Sequence, residues 1–270
     1  MGILLTIRAI VIWLAGLAAI IVPFWFAAAG LGSRFGLWDW QVGLGIMTRE
    51  IGPNLLFAAL GLGALALVLL IATAIFVKDR RAGAGSWVAA LAAIAVGAAG
   101  LWYAASVAAR AAEIPPIHDI STDTTNPPQF TASLVIRRGA DANSVDYAAK
   151  TDPRSGRPLP EVQAEAYPDI QPIAVSAEPL AAYQAALRVA RELGWTVSTE
   201  SERELMFEAT ATTFWYGFRD DIVVRVTALA DGGAVVDARS VSRVGVSDLG
   251  ANAARLRTFS DRLRDRLGED

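Results

Sequence analysis

The stretch VVDARSVSRVGVSDLGANAAR, residues 235–255, decides the fold. Its first half alternates apolar and polar residues, as a β-strand does, and its end begins an apolar spacing of three and four, as an α-helix does. Between the two halves, Gly245 and Gly250 flank the small polar pair Ser247 and Asp248. The stretch therefore predicts a last strand that a short turn joins to a last helix.

Working outward, residues 173–270 predict one small soluble α+β domain. A short strand at 173–175 precedes an amphipathic helix that begins at Pro179 and ends at Gly194. Further strands are predicted at 195–199, 205–212, 221–229 and 234–241, and the last helix at 252–267. The order β-α-β-β-β-β-α is that of an antiparallel sheet with two helices on one face, as in TATA-binding-like and helix-grip folds. The opposite face is then expected to be free to form a groove.

The hairpin around residues 231–233, Asp-Gly-Gly, predicts the register of the last two strands. A three-residue loop with glycine in the left-handed conformation pairs Ala230 with Ala234. A slip by one residue would mix apolar and polar side chains on each face. In the favoured register Asp221 lies opposite Arg243, and we predict that these two residues form a structural ion pair.

Two arginines of this hairpin, Arg225 and Arg239, fall side by side on the free face. A guanidinium group matches the geometry of a carboxylate or phosphate, so both are candidates for binding an anion. The alternative is that they pair with Asp237 and Glu208, because most charged faces are solvated and bridged internally.

The turn after the last strand carries the remaining candidates. Ser247 and Asp248 predict first a helix N-cap, although a helix N-terminus next to Arg243 also suits an anion. Asn252 and Arg255 lie one turn further and either brace the turn or face a ligand. The candidate ligand-binding set is Arg225, Arg239, Arg243, Ser247, Asp248, Asn252 and Arg255.

A catalytic alternative remains open in which a membrane-anchored hydrolase uses Asp220 or Asp221 with Ser247 or Asp248. Adjacent residues of a strand point to opposite faces, however, so the two aspartates do not easily share one substrate atom. A Ser-His-Asp site would require the only histidine, His118, to fold back onto the domain. We therefore predict no catalytic residues.

No metal or cofactor is predicted. The best metal candidates are His118, Asp119 and Asp123, whereas a structural metal site needs three or four converging ligands. The chain has no Cys, which excludes disulfides, a thiol nucleophile and thiolate metal sites.

The N-terminal part, residues 1–112, predicts a three-helix membrane anchor. Spans at 3–29, 54–77 and 86–109 each exceed the roughly 20 apolar residues that cross a bilayer. The small residues near 26–30 leave open that the first span is a cleaved signal peptide, although its apolar run is longer than such peptides use.

The orientation follows from the basic residues near the span ends. The short loop after the second span holds Lys78, Arg80 and Arg81, and basic residues in short loops are retained on the cytoplasmic side. This places the N-terminus, with Arg8, in the cytoplasm and sends the C-terminal domain to the other side.

Residues 113–172 hold nine of the twelve prolines and predict an extended linker without regular structure. Residues 1–112 contain seven basic and three acidic side chains, so a chain with net charge −3 leaves −7 to the remainder. An acidic soluble part argues against nucleic acid as a partner.

The segment 239–252, RSVSRVGVSDLGAN, resembles the R-S-x-S-R-x-G-x-S-D-x-G-x-N signature of an uncharacterised family called domain of unknown function fourteen-ninety-nine. Residues 214–226, an aromatic run into Asp220–Asp221, are similar to its second motif, and the resemblance covers roughly 114–267. Many relatives carry Asn-Cys-Val-Ser near the domain start, where this chain has Asp-Ile-Ser-Thr at 119–122. The resemblance implies bacterial membrane or envelope proteins with no settled activity.

Together these observations predict a non-catalytic, multi-pass protein of the bacterial inner membrane with a periplasmic α+β domain. The expected partners are the lipid bilayer and an envelope component, either a lipid headgroup or a protein, met through the free sheet face and the turn. The alternatives are the hydrolase and a structural docking subunit of a membrane complex.

Overall fold

The computed structural model describes residues 2–77 and 81–269. The chain forms two compact units. The first comprises Met1–Ala109 with Phe214–Gly217, and the second comprises Arg110–Thr213 with Phe218–Asp270.

Long apolar helices make up the first unit. Helix α1 spans Gly2–Arg34, a π-helix at Gln41–Ile51 runs directly into α2 at Gly52–Phe76, and α3 spans Ala84–Glu113. Among the described residues, three helical stretches are long and apolar enough to cross a membrane. The middle one begins at Gln41 rather than at Asn54 as predicted. The polar residues at 48–50 hid this continuation, because they interrupt the apolar run without interrupting the helix. Lys78 and Arg80, on which the predicted orientation rests, lie outside the described residues.

Small residues let α2 and α3 approach closely. A Cβ atom on Gly63 would lie 2.8 Å from the carbonyl oxygen of Ala90, and one on Gly97 would lie 2.7 Å from that of Leu56. Such contacts replace the hydrophobic drive that is missing between helices in lipid. Arg8 of α1 donates to Thr73 Oγ1 of α2 at 2.9 Å, which gives this partly buried charge a polar neighbour.

The second unit contains an antiparallel sheet of six strands. Their bounds are β1 Asp119–Ser121, β2 Ile173–Val175, β3 Thr196–Ser201, β4 Met206–Thr212, β5 Arg219–Ala228 and β6 Ala234–Ser242. The order is β1-β6-β5-β4-β3, and β2 also pairs with β6, beside its first half. The further helices are α4 Ala132–Arg138, α5 Leu159–Ala166, α6 Pro179–Glu192 and α7 Ala251–Leu267.

Helices α6 and α7 contact each other and pack on the sheet. The core between them is apolar; Tyr183 packs edge-on against Phe207, and Trp195 stacks on Phe259 with ring centroids 5.3 Å apart. The predicted fold class, membrane-type helices followed by an antiparallel α+β domain, is confirmed.

The register of the β5–β6 hairpin differs from the prediction by two residues. The three-residue loop is 230–232, with Gly232 at φ 92°, and it is closed by a bond from Leu229 N to Gly233 O. Ala228 therefore pairs with Ala234, and Arg225 lies opposite Asp237 rather than Arg239. Two residues are one full repeat of a strand, so the predicted faces survive although the partners change.

The segment 113–172 is not the irregular linker that its prolines predicted. It contributes β1 to the sheet and contains α4 and α5. Thr131 caps α4 by accepting from Leu134 N, and its own hydroxyl and N–H donate to the buried carboxylate of Glu208 on β4. Prolines end regular structure without preventing short elements between them, and this segment covers the face expected to be free.

Candidate functional site

The covered face of the sheet holds a buried ion pair between Asp119 of β1 and Arg239 of β6. Arg239 Nε donates to Asp119 Oδ1 at 2.9 Å and Nη2 to Oδ2 at 2.8 Å, and both side chains are fully buried. Lys150 Nζ reaches the same carboxylate at 2.5 Å. Burial lowers the pKa of Lys150, with the negative charge of Asp119 opposing that shift. One carboxylate thus serves two cations.

Arg239 does not face an open groove, which corrects the sequence prediction. Its guanidinium lies over the rings of Phe130 and Tyr147, 5.2 and 5.3 Å from their centroids. It also donates to the carbonyl oxygens of Pro128 and Val145. The segment 113–172 therefore encloses the charge, and no ligand reaches Arg239 without displacing that segment.

Arg225 lies at the margin of this cover and is partly exposed. Its Nη2 donates to Asp237 Oδ2 at 3.0 Å and to the carbonyl of Asn126 at 2.9 Å. The predicted alternative partner for this arginine, Asp237, is found, together with Asp123 at 3.6 Å. Glu208 binds Thr131 instead of Arg239.

Asp221 and Arg243 are brought together on the same face. Arg243 Nε and Nη2 each donate to the carboxylate at 2.8 Å, and Arg138 of α4 adds a third bond at 2.5 Å. Asp221 pairs across the sheet with Val241, so the long Arg243 side chain reaches diagonally to it. Burial by itself raises the pKa of Asp221, but the bonds from Arg243 and Thr210 and the charge of Arg138 outweigh burial and hold it below its usual value.

At the other face, Asp248 holds the start of α7. Its Oδ1 accepts from Gly250 N and its Oδ2 from Asn252 N, each at 2.8 Å. The residue directly before the helix is Gly250, in the left-handed conformation. Asp248 therefore makes the predicted capping bond from two residues earlier, whereas Ser247 does not bond to the helix. Burial raises the pKa of Asp248 to about 6, against the two N–H groups and Arg255, which lower it. The carboxylate already occupies the helix N-terminus that was considered for an external anion.

A polar network braces the joint between β6 and α7. Arg255 donates to Asp220 Oδ2 at 2.6 Å, to Ser240 Oγ at 3.0 Å and to Asn252 Oδ1. The amide nitrogen of Asn252 donates to Ser242 Oγ and to the carbonyl of His118. Asn252 is fully buried, and of the two roles left open for it and Arg255 the contacts support bracing.

The turn at residues 244–250, which we call the corner turn, carries two exposed apolar side chains. Val246 is 63% exposed and Leu249 is 40% exposed. Leu249 has φ 54°, a left-handed backbone conformation that is rare for a bulky residue. Ser247 has only a local contact, accepting from Leu249 N at 3.2 Å.

Three contacts fix the corner turn from beneath. The side-chain amide of Asn143 donates to Gly245 O at 2.9 Å, and His118 Nδ1 donates to Val246 O at 3.1 Å. Asp248 N donates to Ile117 O. Burial lowers the pKa of His118, which favours the neutral ring that this bond uses. The exposed residues thus stand on a rigid backbone.

The structure separates the two aspartates of the hydrolase alternative. Asp220 binds Arg255 on the α7 side, whereas Asp221 binds Arg138 and Arg243 on the covered side. The two carboxylates are directed to opposite faces, so they do not share a substrate atom. Asp220 does lie near Asp248, since its negative charge contributes to the raised pKa of Asp248, but the carboxylate of Asp220 is held by Arg255.

The residues considered as metal ligands are each bound by other groups of the protein. Asp119 is held by Arg239 and Lys150, and Asp123 Oδ1 accepts from the N–H groups of Thr125 and Asn126. Within residues 2–77 and 81–269, His, Asp and Glu side chains form no group of three or more suited to a metal.

Sequence reasoning missed the polar residues that segment 113–172 supplies. Asp119, Arg138, Asn143 and Lys150 all bind the sheet or the corner turn, and each lies in the stretch interpreted as a linker. One signal was available for Arg138: Thr131 as a cap and basic residues in the last turn are typical of a short helix.

Comparison with known proteins assigns the second unit to a family without assigning an activity. A family model described as "Protein of unknown function (DUF1499)" matches residues 119–263, more than half of the chain. No curated protein matches the chain.

Proposed function

We propose, for a chain that belongs to the DUF1499 family of proteins of unknown function, that the apolar helices anchor a non-catalytic α+β domain that binds an envelope component. The binding surface is the corner turn. One observation carries the proposal: Val246 and Leu249 are exposed on a backbone that is both fixed and strained.

The conformational strain at Leu249 supports a binding role for the corner turn. A bulky residue in the left-handed region costs on the order of 1 to 3 kcal/mol and persists only where the surroundings enforce it. Here Asp248 holds the residues that follow Leu249, and Asn143 holds Gly245. The arrangement keeps apolar side chains in water at a fixed position, which favours association over stability.

The state of the charged residues supports a non-catalytic role. Asp220, Asp221 and Asp119 are each bound by arginine. Removing these charges from their partners to serve a substrate would leave buried charges unpaired, which is expensive. The charged residues of the family signature therefore act as the frame that holds the corner turn.

For location, the proposal places the protein in the bacterial inner membrane, with its N-terminus in the cytoplasm and its α+β domain in the periplasm. Support comes from the basic loop at 78–81, which favours the cytoplasmic side. The three membrane-type helices then leave the domain on the opposite side.

Site-specific photocrosslinking in native membranes tests the binding role. A benzophenone amino acid at position 246 is expected to form a discrete adduct, identified by mass spectrometry as a lipid or a named protein. The same probe at Leu229 is the matched control, because Leu229 is 39% exposed, like Leu249, but lies in the β5–β6 hairpin. Equal labelling at the two positions would overturn the proposal.

A further inference from the structure

The structure favours one kind of partner for the corner turn. Resting on the binding role proposed above, we infer that the corner turn contacts the surface of the bilayer that the helices span, with Val246 and Leu249 entering its headgroup region. Position, size and nearby charge each bear on this inference.

The position of the corner turn follows from its contact with the end of α3. A Cβ atom on Gly250 would lie 3.7 Å from Ile114 Cδ1. Ile114 directly follows Glu113, the last residue of α3, and Ile114 N still donates to Arg110 O in helical fashion. The corner turn therefore lies beside Ile114, the residue that follows α3.

The height of that point above the hydrocarbon follows from helix geometry. The predicted span ends at residue 109, and five more residues at about 1.5 Å each raise the chain by roughly 8 Å. The headgroup region on each side of the hydrocarbon core is about 5 to 8 Å thick. By chain length alone Ile114 is thus within reach of the headgroup region, and we assign the corner turn, its neighbour within the second unit, to the same layer.

The basic residues at the end of α3 suit an anionic surface. Arg154 donates to the carbonyl oxygens of Ala111, Ala112 and Ile114 at 2.6, 3.2 and 3.1 Å, which holds its guanidinium at the helix C-terminus. Arg110 lies in the last turn and is exposed. Each basic residue near an anionic leaflet adds attraction at short range, which the exposed Glu113 at the end of α3 partly offsets.

The size of the apolar surface favours the bilayer over a protein partner. Two side chains fall far short of the roughly 1,200 Å² that a stable protein interface buries. A domain tethered to the membrane needs no such area, since the tether already supplies a high effective concentration of lipid. Two inserted side chains are then enough to set the orientation of the domain.

Spin labelling of the full chain in vesicles tests the inference. Because the chain contains no Cys, Val246→Cys introduces a single thiol for a nitroxide. Vesicles of phosphatidylethanolamine and phosphatidylglycerol provide the probe surface, and power saturation compares collisions with oxygen and with a water-soluble nickel chelate. The label at 246 is expected to be several-fold more accessible to oxygen relative to nickel than the label at 229.

Leu229→Cys is the control, because Leu229 directly follows β5 at the β5–β6 hairpin. The ten residues of β5 span about 30 Å and separate Leu229 from the end of the sheet that leads to the corner turn. Leu249→Cys provides a second reporter in the corner turn if one label disturbs the fold. Equal nickel accessibility at 246, 249 and 229 would overturn the bilayer contact.

Failure of the bilayer contact can be distinguished from failure of the proposed binding role. A protein adduct from the photocrosslinker at 246, combined with a nickel-accessible label, would reject the bilayer while retaining the binding surface. Absence of an adduct specific to 246, together with nickel accessibility there, would reject both.

Discussion

The guanidinium of Arg239 and the carboxylate of Asp119 form a two-bond ion pair across 120 positions of sequence, and neither side chain has any exposed surface. A buried pair contributes little when intact, but loss of one partner leaves an uncompensated charge. This pair also joins β1 to β6, so it ties segment 113–172 to the sheet.

We predict that Arg239→Ala destabilises the second unit by about 3 to 5 kcal/mol, with Lys150 compensating part of the charge of Asp119. Pulse proteolysis of the full-length protein in mild detergent, across a urea series, measures the change. The matched control is Arg257→Ala, which breaks the exposed pair with Asp169 and should cost less than about 1 kcal/mol. Similar costs for the two variants would contradict the buried pair.

Asp221 predicts a loss of stability in acid. Its pKa is lowered in the folded state, so its stabilising contribution is present above the unfolded value of about 3.9 and is lost as the pH falls through the lower folded value. Asp221→Asn should therefore destabilise strongly at neutral pH, because it leaves Arg138 and Arg243 without a carboxylate, and progressively less below about pH 4.

Urea denaturation of Asp221→Asn and the parent at neutral and acidic pH measures this difference. Glu192→Gln, which removes an exposed pair with Arg266, serves as control and should show little change at either pH. A cost for Asp221→Asn that is the same at both pH values would contradict the expected ionic role.

The contribution of Asp248 to stability is expected to change with pH in the direction opposite to that of Asp221. Its folded pKa of about 6 exceeds the unfolded value of about 3.9. The folded protein then binds more protons between these values, so the contribution of Asp248 is greatest at low pH and is lost as the pH rises through 6.

Asp248→Asn removes this dependence. The difference in unfolding free energy between variant and parent should shift in favour of the variant between about pH 4 and 6, by at most about 3 kcal/mol. A constant offset of roughly 1 kcal/mol is expected from the lost acceptor, so the slope is the informative quantity. Parallel stability curves for the two proteins would be inconsistent with the raised pKa.

A substitution at Leu249 is expected to reduce binding without reducing the stability of the domain. Leu249→Gly relieves the left-handed backbone and is expected to stabilise the domain or leave it unchanged, within about 1 kcal/mol. The same change removes an exposed apolar side chain from the corner turn, so the adduct from the photocrosslinker at 246 should fall.

The matched change is Leu229→Gly, because Leu229 has the same exposure and no left-handed backbone. It should destabilise slightly, as glycine gains more freedom on unfolding, and it should leave the adduct intact. A loss of adduct in both variants would point to a general effect on the domain.

The proposed orientation in the membrane predicts which alkaline phosphatase fusions are active. Alkaline phosphatase, which folds only outside the cytoplasm, should be active when fused after residue 269 and inactive when fused after residue 81. Swapping the basic residues at 78, 80 and 81 for Ser weakens the charge bias and should reduce the difference. Activity only in the fusion after residue 81 would reverse the proposed topology.

The elements of the α+β domain were predictable because periodicity reports which face of an element is buried. The register of the hairpin was not, since a shift by two residues preserves both faces and moves only the loop, from 231–233 to 230–232. Arg243 still meets Asp221 because a long side chain tolerates that shift. Periodicity therefore specifies faces more reliably than partners.

Segment 113–172 escaped prediction for a different reason. Strand β1 has three residues, too few for an alternation to be recognised, and its stability comes from β6 rather than from its own sequence. The candidate arginine Arg239 was assigned to an open face for the same reason, because the residues that cover it are specified by contacts far along the chain.

The pairing of β1 with β6 has a consequence for biosynthesis. Strand β1 leaves the ribosome long before its partner, since Asp119 and Arg239 are 120 positions apart. The sheet therefore cannot close during translation of its first half, and the early segment must wait, unpaired, until almost the entire chain has been made. Closure of this domain is a late event in which contacts of high sequence separation form together, the situation in which folding is slow.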